Sequence, residues 1–138
     1  MIKTVYTQGG QPASVAFGLE VEALKRLKGK RHFPQLVGYN KGAMTIETEP
    51  YSRRGVVAGI HGQIKTIIDT LRECGIEYLS RPRLGVKDDE LLLTDFGHVV
   101  LDGKPATIFM DMRYQAYMAH GERGLKKMIY VEYTQSLV

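Results

Sequence analysis

The sequence predicts an α+β domain, and three observations predict it. Apolar residues recur at helical spacing over Val15 to Lys28 and again over Val56 to Cys74. Short β-prone runs surround them, joined by turn signals such as Asn40-Lys41-Gly42 and Asp102-Gly103. Leu91-Leu92-Leu93 is a continuous apolar run, as expected of a short strand buried on both faces, and it leads straight into Thr94-Asp95-Phe96-Gly97. An acid at a rigid strand end, followed by an apolar anchor and a permissive glycine, is suitably placed to hold Mg²⁺. A buried strand that simply ends in a turn accounts for the same residues.

Met1 to Thr7 alternates as a strand, with Ile2 and Thr4 on one face and Lys3, Val5 and Thr7 on the other. Gln8-Gly9-Gly10-Gln11-Pro12 breaks it, and Ser14 is a plausible helix cap. In the helix from Val15 to Lys28, Phe17, Val21, Leu24 and Leu27 form the apolar stripe, and Gly29 ends it. Glu20 falls inside that stripe, at about 300° from Phe17 and between Leu24 and Leu27. Two outcomes fit it: the carboxylate reaches solvent at the stripe's edge, or it meets a cation in the core. Glu22 lies on the far face, where it can pair with Arg26.

Lys30-Arg31-His32 makes a basic knot that, with Lys25, Arg26 and Lys28, could meet phosphate or an acidic partner. Gln35 to Tyr39 and Ala43 to Thr48 read as a hairpin, followed by an extended crossover through Ser52-Arg53-Arg54-Gly55. The second long helix runs from Val56 to Cys74. Ile76 to Arg83 reads as loop, since Pro82 forbids a helix there. Leu84 to Val86 and Leu91 to Asp95 flank a turn at Lys87-Asp88-Asp89-Glu90. Val99 to Leu101 and Thr107 to Met110 read as a hairpin about Asp102-Gly103, and Asp111 to His120 and Glu122 to Gln135 as closing helices.

Composition narrows the class. The 138 residues are 43% hydrophobic and 25% charged, sufficient for one domain with a real core. The net charge of +4 permits an anionic partner without requiring one. A single cysteine, Cys74, excludes an internal disulfide and a Cys-rich zinc site. No apolar run reaches membrane-spanning length and no signal peptide is visible, so a cytoplasmic location without membrane contact is expected.

The order of these signals resembles the protein kinase fold, over roughly Met1 to Val100. Met1-Ile2-Lys3-Thr4-Val5 resembles the third strand of that family, whose lysine meets the nucleotide phosphates. Glu20 then corresponds to the helix glutamate that pairs with this lysine. His32-Phe33-Pro34-Gln35-Leu36-Val37-Gly38 resembles the lead into the fourth strand. Ala43-Met44-Thr45-Ile46-Glu47 resembles the fifth strand and hinge, which would set Glu47 beside a nucleotide. Asp95-Phe96-Gly97 falls at the magnesium-binding Asp-Phe-Gly. The resemblance implies one domain over 1–138, with a reduced sheet and one helix in 1–50 and a shortened helical lobe in 51–138.

The departures are substantial. Nothing before Lys3 corresponds to the two strands and glycine-rich loop that cover the phosphates, and Gly9-Gly10 comes too late to replace them. With Pro82 matched to the proline of the catalytic loop, Glu77-Tyr78-Leu79 replaces His-Arg-Asp and Leu84 replaces the metal-binding Asn. A leucine can neither accept a proton nor bind Mg²⁺. No Ala-Pro-Glu follows Gly97, and Asp111-Met112-Arg113-Tyr114 only faintly resembles the helix that buttresses the catalytic loop. The resemblance therefore implies a pseudokinase that works by binding a protein partner or a second copy of itself. Lys3, Glu20, Glu47 and Asp95 would hold ATP and Mg²⁺ weakly, or remain as a structural ion-pair network. An alternative is an active minimal Ser/Thr-type kinase with an atypical base, for which Glu77, Asp88 and Asp89 are the candidates. A basic nucleic-acid-binding domain using Lys25 to Arg31 is the third reading, and the absence of an accompanying aromatic stacking cluster speaks against it.

Overall fold

The computed structural model describes every residue except Gly9, so that part of the expected break after the first strand lies outside the described residues. The elements run β1 (Ile2–Thr4), α1 (Ala13–Arg26), β2 (Leu36–Asn40), β3 (Thr45–Thr48), α2 (Ile60–Glu73), β4 (Ile76–Tyr78), β5 (Arg83–Lys87), β6 (Glu90–Thr94), β7 (Val99–Leu101), α3 (Ile108–Met118) and α4 (Gly121–Glu132). A π-type turn over Tyr133–Leu137 closes the chain. This is a mixed α+β architecture: a three-stranded antiparallel sheet in the order β1-β3-β2, and two separate antiparallel pairs, β4-β7 and β5-β6. Among the described residues, no helix is long and apolar enough to cross a membrane.

β1 pairs with β3 in a register that sets Lys3 opposite Ile46. β2 flanks β3 on the other side, and Phe17 of α1 meets Tyr39 of β2 edge to face at 6.1 Å. α1 begins two residues earlier than the apolar spacing suggests. The Thr7 hydroxyl accepts from the Ala13 amide at 3.1 Å, so a distant threonine takes the capping role expected of Ser14. At its other end, Arg26 donates to both carboxylate oxygens of Asp102 and to the Cys74 carbonyl, joining the ends of α1, α2 and β7.

Several expectations are corrected here. α2 starts at Ile60, not Val56, because Gly59 sits at φ +65° and breaks the helical path. Val57 is nevertheless buried, with its amide donating to the Tyr133 hydroxyl at 3.0 Å, so core burial before the helix mimics helical spacing. Ile76 to Tyr78 is a strand rather than loop. It presents Ile76 and Tyr78 inward and pairs with Val99 to Leu101. Pro82 lies beyond that strand and excludes only a helix. Thr107 to Met110 is not the partner of β7: Thr107 caps α3, its hydroxyl accepting from the Met110 amide at 3.1 Å. The closing helix expected over Glu122 to Gln135 is present as α4 and the π-type turn, with Leu125, Ile129 and Tyr133, four residues apart, all facing the core.

The β5-β6 hairpin carries the chain's most buried strand, with Leu91 and Leu93 fully enclosed and Leu92 at 5% exposure. Its two-residue turn has Asp88 and Asp89 at φ +50° and +63°, the mirror-image geometry that suits a tight hairpin. Tyr51 and Ser52 lie against β5, where a methyl group on Gly85 would stand 2.5 Å from the Tyr51 ring. Gly85→Ala is therefore expected to cost about 1–3 kcal/mol in urea unfolding. A change within about 0.5 kcal/mol would mean the ring swings aside freely.

Candidate functional site

Three elements distant in sequence deliver one ionic cluster. Lys3 projects from β1, Glu20 from the inner face of α1, and Asp95 from the turn after β6. The Lys3 ammonium forms an ion pair with Glu20 and a second with Asp95 Oδ1 at 2.8 Å. Glu20 is buried, and its Oε1 also accepts from the Phe96 amide at 3.0 Å. The carboxylate in the apolar stripe has thus found its cation in the core, as one of the two outcomes required. Asp95 adopts φ +64°, a left-handed turn that aims its carboxylate back at Lys3 while Phe96 enters the core. Phe96 packs between Phe33, centroids 6.0 Å apart, and Tyr78 at 5.5 Å. The Tyr78 hydroxyl donates to the Thr94 carbonyl at 2.6 Å, locking the residue before Asp95.

Two arginines complete the surroundings. Arg53 donates to the Thr94 hydroxyl at 3.0 Å and lies 3.7 Å from Asp95 Oδ2; Arg83 reaches the same oxygen at 3.7 Å. The Thr94 hydroxyl in turn lies 3.2 Å from Asp95 Oδ2. Burial pushes the Asp95 carboxyl up, but Lys3, Arg53 and Arg83 together hold it below the usual carboxylate range. For Glu20 burial wins, and its carboxyl is raised despite Lys3 and the Phe96 amide. Burial pulls the Lys3 ammonium down, and the two carboxylates more than offset it, leaving it raised.

These shifts give a pH prediction with a definite sign. Asp95 releases its proton more readily folded than unfolded, so its stabilisation is complete above its ordinary value of 3.8 and is lost as pH falls through the lower folded value. Glu20 acts in the opposite sense, so the comparison must isolate Asp95. The stability gap between the protein and Asp95→Asn is expected to be widest near neutrality and to shrink below about pH 4. Urea midpoints across that range measure it, and a gap independent of pH contradicts the assignment.

The cluster separates two hollows. One, of about 220 Å³, is walled by Leu24, Pro34, Ile46, Tyr51 and Phe96. The other, of about 520 Å³, opens past Val5, Gly97 and His98. Both are floored by Lys3, Glu20, Arg53 and Asp95. The smaller falls short of the roughly 300 Å³ at which small-molecule pockets begin.

The other expected site residues are elsewhere. Glu47 is exposed: it pairs with Ile2 and alternates with Ile46 and Thr48, which face the hollow, so its side chain points to the opposite side of the sheet. Glu77 accepts from the Tyr114 hydroxyl at 2.9 Å and lines a separate hollow with Arg72 and Tyr117. Asp88 sits in the hairpin turn at the opposite end of β6 from Asp95, with the full five-residue strand between them. Neither acid joins the cluster, and neighbouring Asp89 shares the same turn. The basic run expected to meet an anion is largely engaged: Arg26 with Asp102, Arg31 with Glu90, and Lys25 over the Tyr39 ring. His32 is buried, its Nδ1 2.9 Å from the Leu91 carbonyl.

The donor set suits phosphate better than a bare divalent ion. A Mg²⁺ at Asp95 would meet Lys3 and two guanidinium groups, and no group of three or more metal-ligating side chains forms among the described residues. Only phosphate oxygens arriving with the metal would reverse that repulsion. A comparison with protein-family models and a search of curated proteins both returned no match.

Proposed function

We propose that this chain is a kinase-like pseudoenzyme whose cleft holds a nucleotide weakly and whose work is to bind another protein. The observation that carries this reading is the Lys3–Glu20–Asp95 cluster, assembled from residues up to 92 positions apart. Lys3 would meet a phosphate, and Asp95 would hold any magnesium that the phosphates bring. Phosphoryl transfer is not part of the proposal, because Glu77 and Asp88 lie outside the cleft and Leu84 is buried in the core. Among the described residues β1 pairs only with β3, and Ile2 and Tyr6 beside its open edge are 69% and 71% exposed. Such an edge is the natural seat for a partner strand or a second copy.

Lys3 and Asp95 are both partly exposed in these open hollows, so the phosphates stay in contact with water and affinity is expected in the millimolar to high-micromolar range, about 4–6 kcal/mol. Mg-ATP at about ten times its dissociation constant should then raise the melting temperature by a few degrees. Asp95→Asn should abolish that gain. Absence of any shift in the unaltered protein, or an undiminished shift in the variant, rejects the nucleotide reading. Purified protein should also transfer no labelled γ-phosphate to itself or to a protein substrate.

A further inference from the structure

The larger hollow has a chemistry that nucleotide binding by Lys3 and Asp95 leaves unused. Five permanently cationic side chains line it, Lys3, Arg53, Arg81, Arg83 and Arg113, against the two carboxylates Glu20 and Asp95. Glu20 is wholly engaged with Lys3 and the Phe96 amide. Asp95 touches Lys3 closely but stands 3.7 Å from either guanidinium, beyond hydrogen-bond distance. Arg81 is held by Glu132 at 3.0 Å. Arg83 and Arg113 are different. The Arg83 side chain is 62% exposed with only the long Asp95 contact, and the Arg113 guanidinium lies 5.6 Å from the Phe109 ring centroid without a side-chain hydrogen-bond partner among the described residues. Two guanidinium forks from different elements, the start of β5 and the face of α3, therefore border one hollow with their donors free.

The geometry points to a site for a phosphate monoester. A guanidinium presents paired N–H donors that match two phosphate oxygens, and a dianion answers the excess of positive charge better than a single carboxylate. The hydroxyl-bearing Thr4 and Ser80, also on the wall, can satisfy a remaining oxygen. About 520 Å³ accommodates a phosphorylated side chain or a small phosphorylated metabolite, and both share this chemistry. The inference does not depend on the nucleotide reading, since it requires neither magnesium nor a base pocket.

The test uses the full chain without nucleotide or Mg²⁺. Isothermal titration with O-phosphothreonine, a short phosphothreonine peptide and the same peptide unphosphorylated reads the affinity at low and moderate salt. Both phosphorylated probes should bind and weaken with salt, while the unphosphorylated peptide should not bind. A tighter peptide assigns the source to protein; equal affinities assign it to small molecules. Arg83→Gln and Arg113→Gln should each weaken binding about tenfold, with melting temperatures unchanged. Asp95→Asn should strengthen it by removing a negative charge that faces the incoming dianion, the reverse of its expected effect on Mg-ATP, so the two readings fail separately. Three results overturn the inference: no binding of either phosphorylated probe, undiminished binding in the double arginine variant, or tighter binding of a single-stranded oligonucleotide lost in that variant.

Discussion

Lys3→Met is expected to destabilise the protein by about 2–4 kcal/mol, the cost of leaving a buried carboxylate without its cation. Glu20 is only 3% exposed, so water cannot replace the ammonium at its far side. The Phe96 amide would remain as a partner, which keeps the loss below that of a fully orphaned charge. Lys3 itself is half-buried, and the value is set at the lower part of the range usual for broken buried pairs for that reason. In melting temperature the change should be roughly 8–15 °C for a chain of this size. Adding Glu20→Gln to Lys3→Met should recover part of the loss, because a neutral amide can still accept from the Phe96 amide. If the double variant is as unstable as the sum of the singles, the two residues are not coupled and the cluster is not a unit.

Lys3 and Glu20 were legible in the sequence for a physical reason. A carboxylate within an apolar stripe creates a demand for a cation, and a lysine within an alternating strand is a ready supplier. Asp95 was legible because an apolar run fixes where the backbone leaves the core. Arg53 and Arg83 were not, since they act from an irregular crossover and from a strand start, where no periodicity marks a direction. The same limit explains β4, whose three residues are too few for an alternating pattern to outweigh a nearby proline. Glu47 lies apart from the cluster for another reason. Resemblance placed it by position along a strand, but its face follows from the β1-β3 register, which depends on pairing between distant residues.

The aromatic residue after Asp95 should be the most sensitive position of the core. Phe96 is fully buried, and its ring packs against both Phe33, ahead of β2, and Tyr78 at the end of β4. Phe96→Ala is expected to cost about 3–5 kcal/mol, combining lost apolar burial with a cavity that rings on two separate segments cannot close. Phe96→Leu keeps most of the volume and should cost about 1–2 kcal/mol. The consequence reaches the ionic cluster, because the Phe96 amide binds Glu20 and the preceding residue is Asp95. If the buried ring holds that turn in place, Phe96→Ala should also loosen the contact between Asp95 and Lys3. Lys3→Met made in the Phe96→Ala background should then cost about 1 kcal/mol less than in the unaltered protein. Urea unfolding of the two single variants and the double variant measures this. Additivity within about 0.3–0.5 kcal/mol would show that the turn keeps its shape without the ring, and that the cluster is positioned by its own charges.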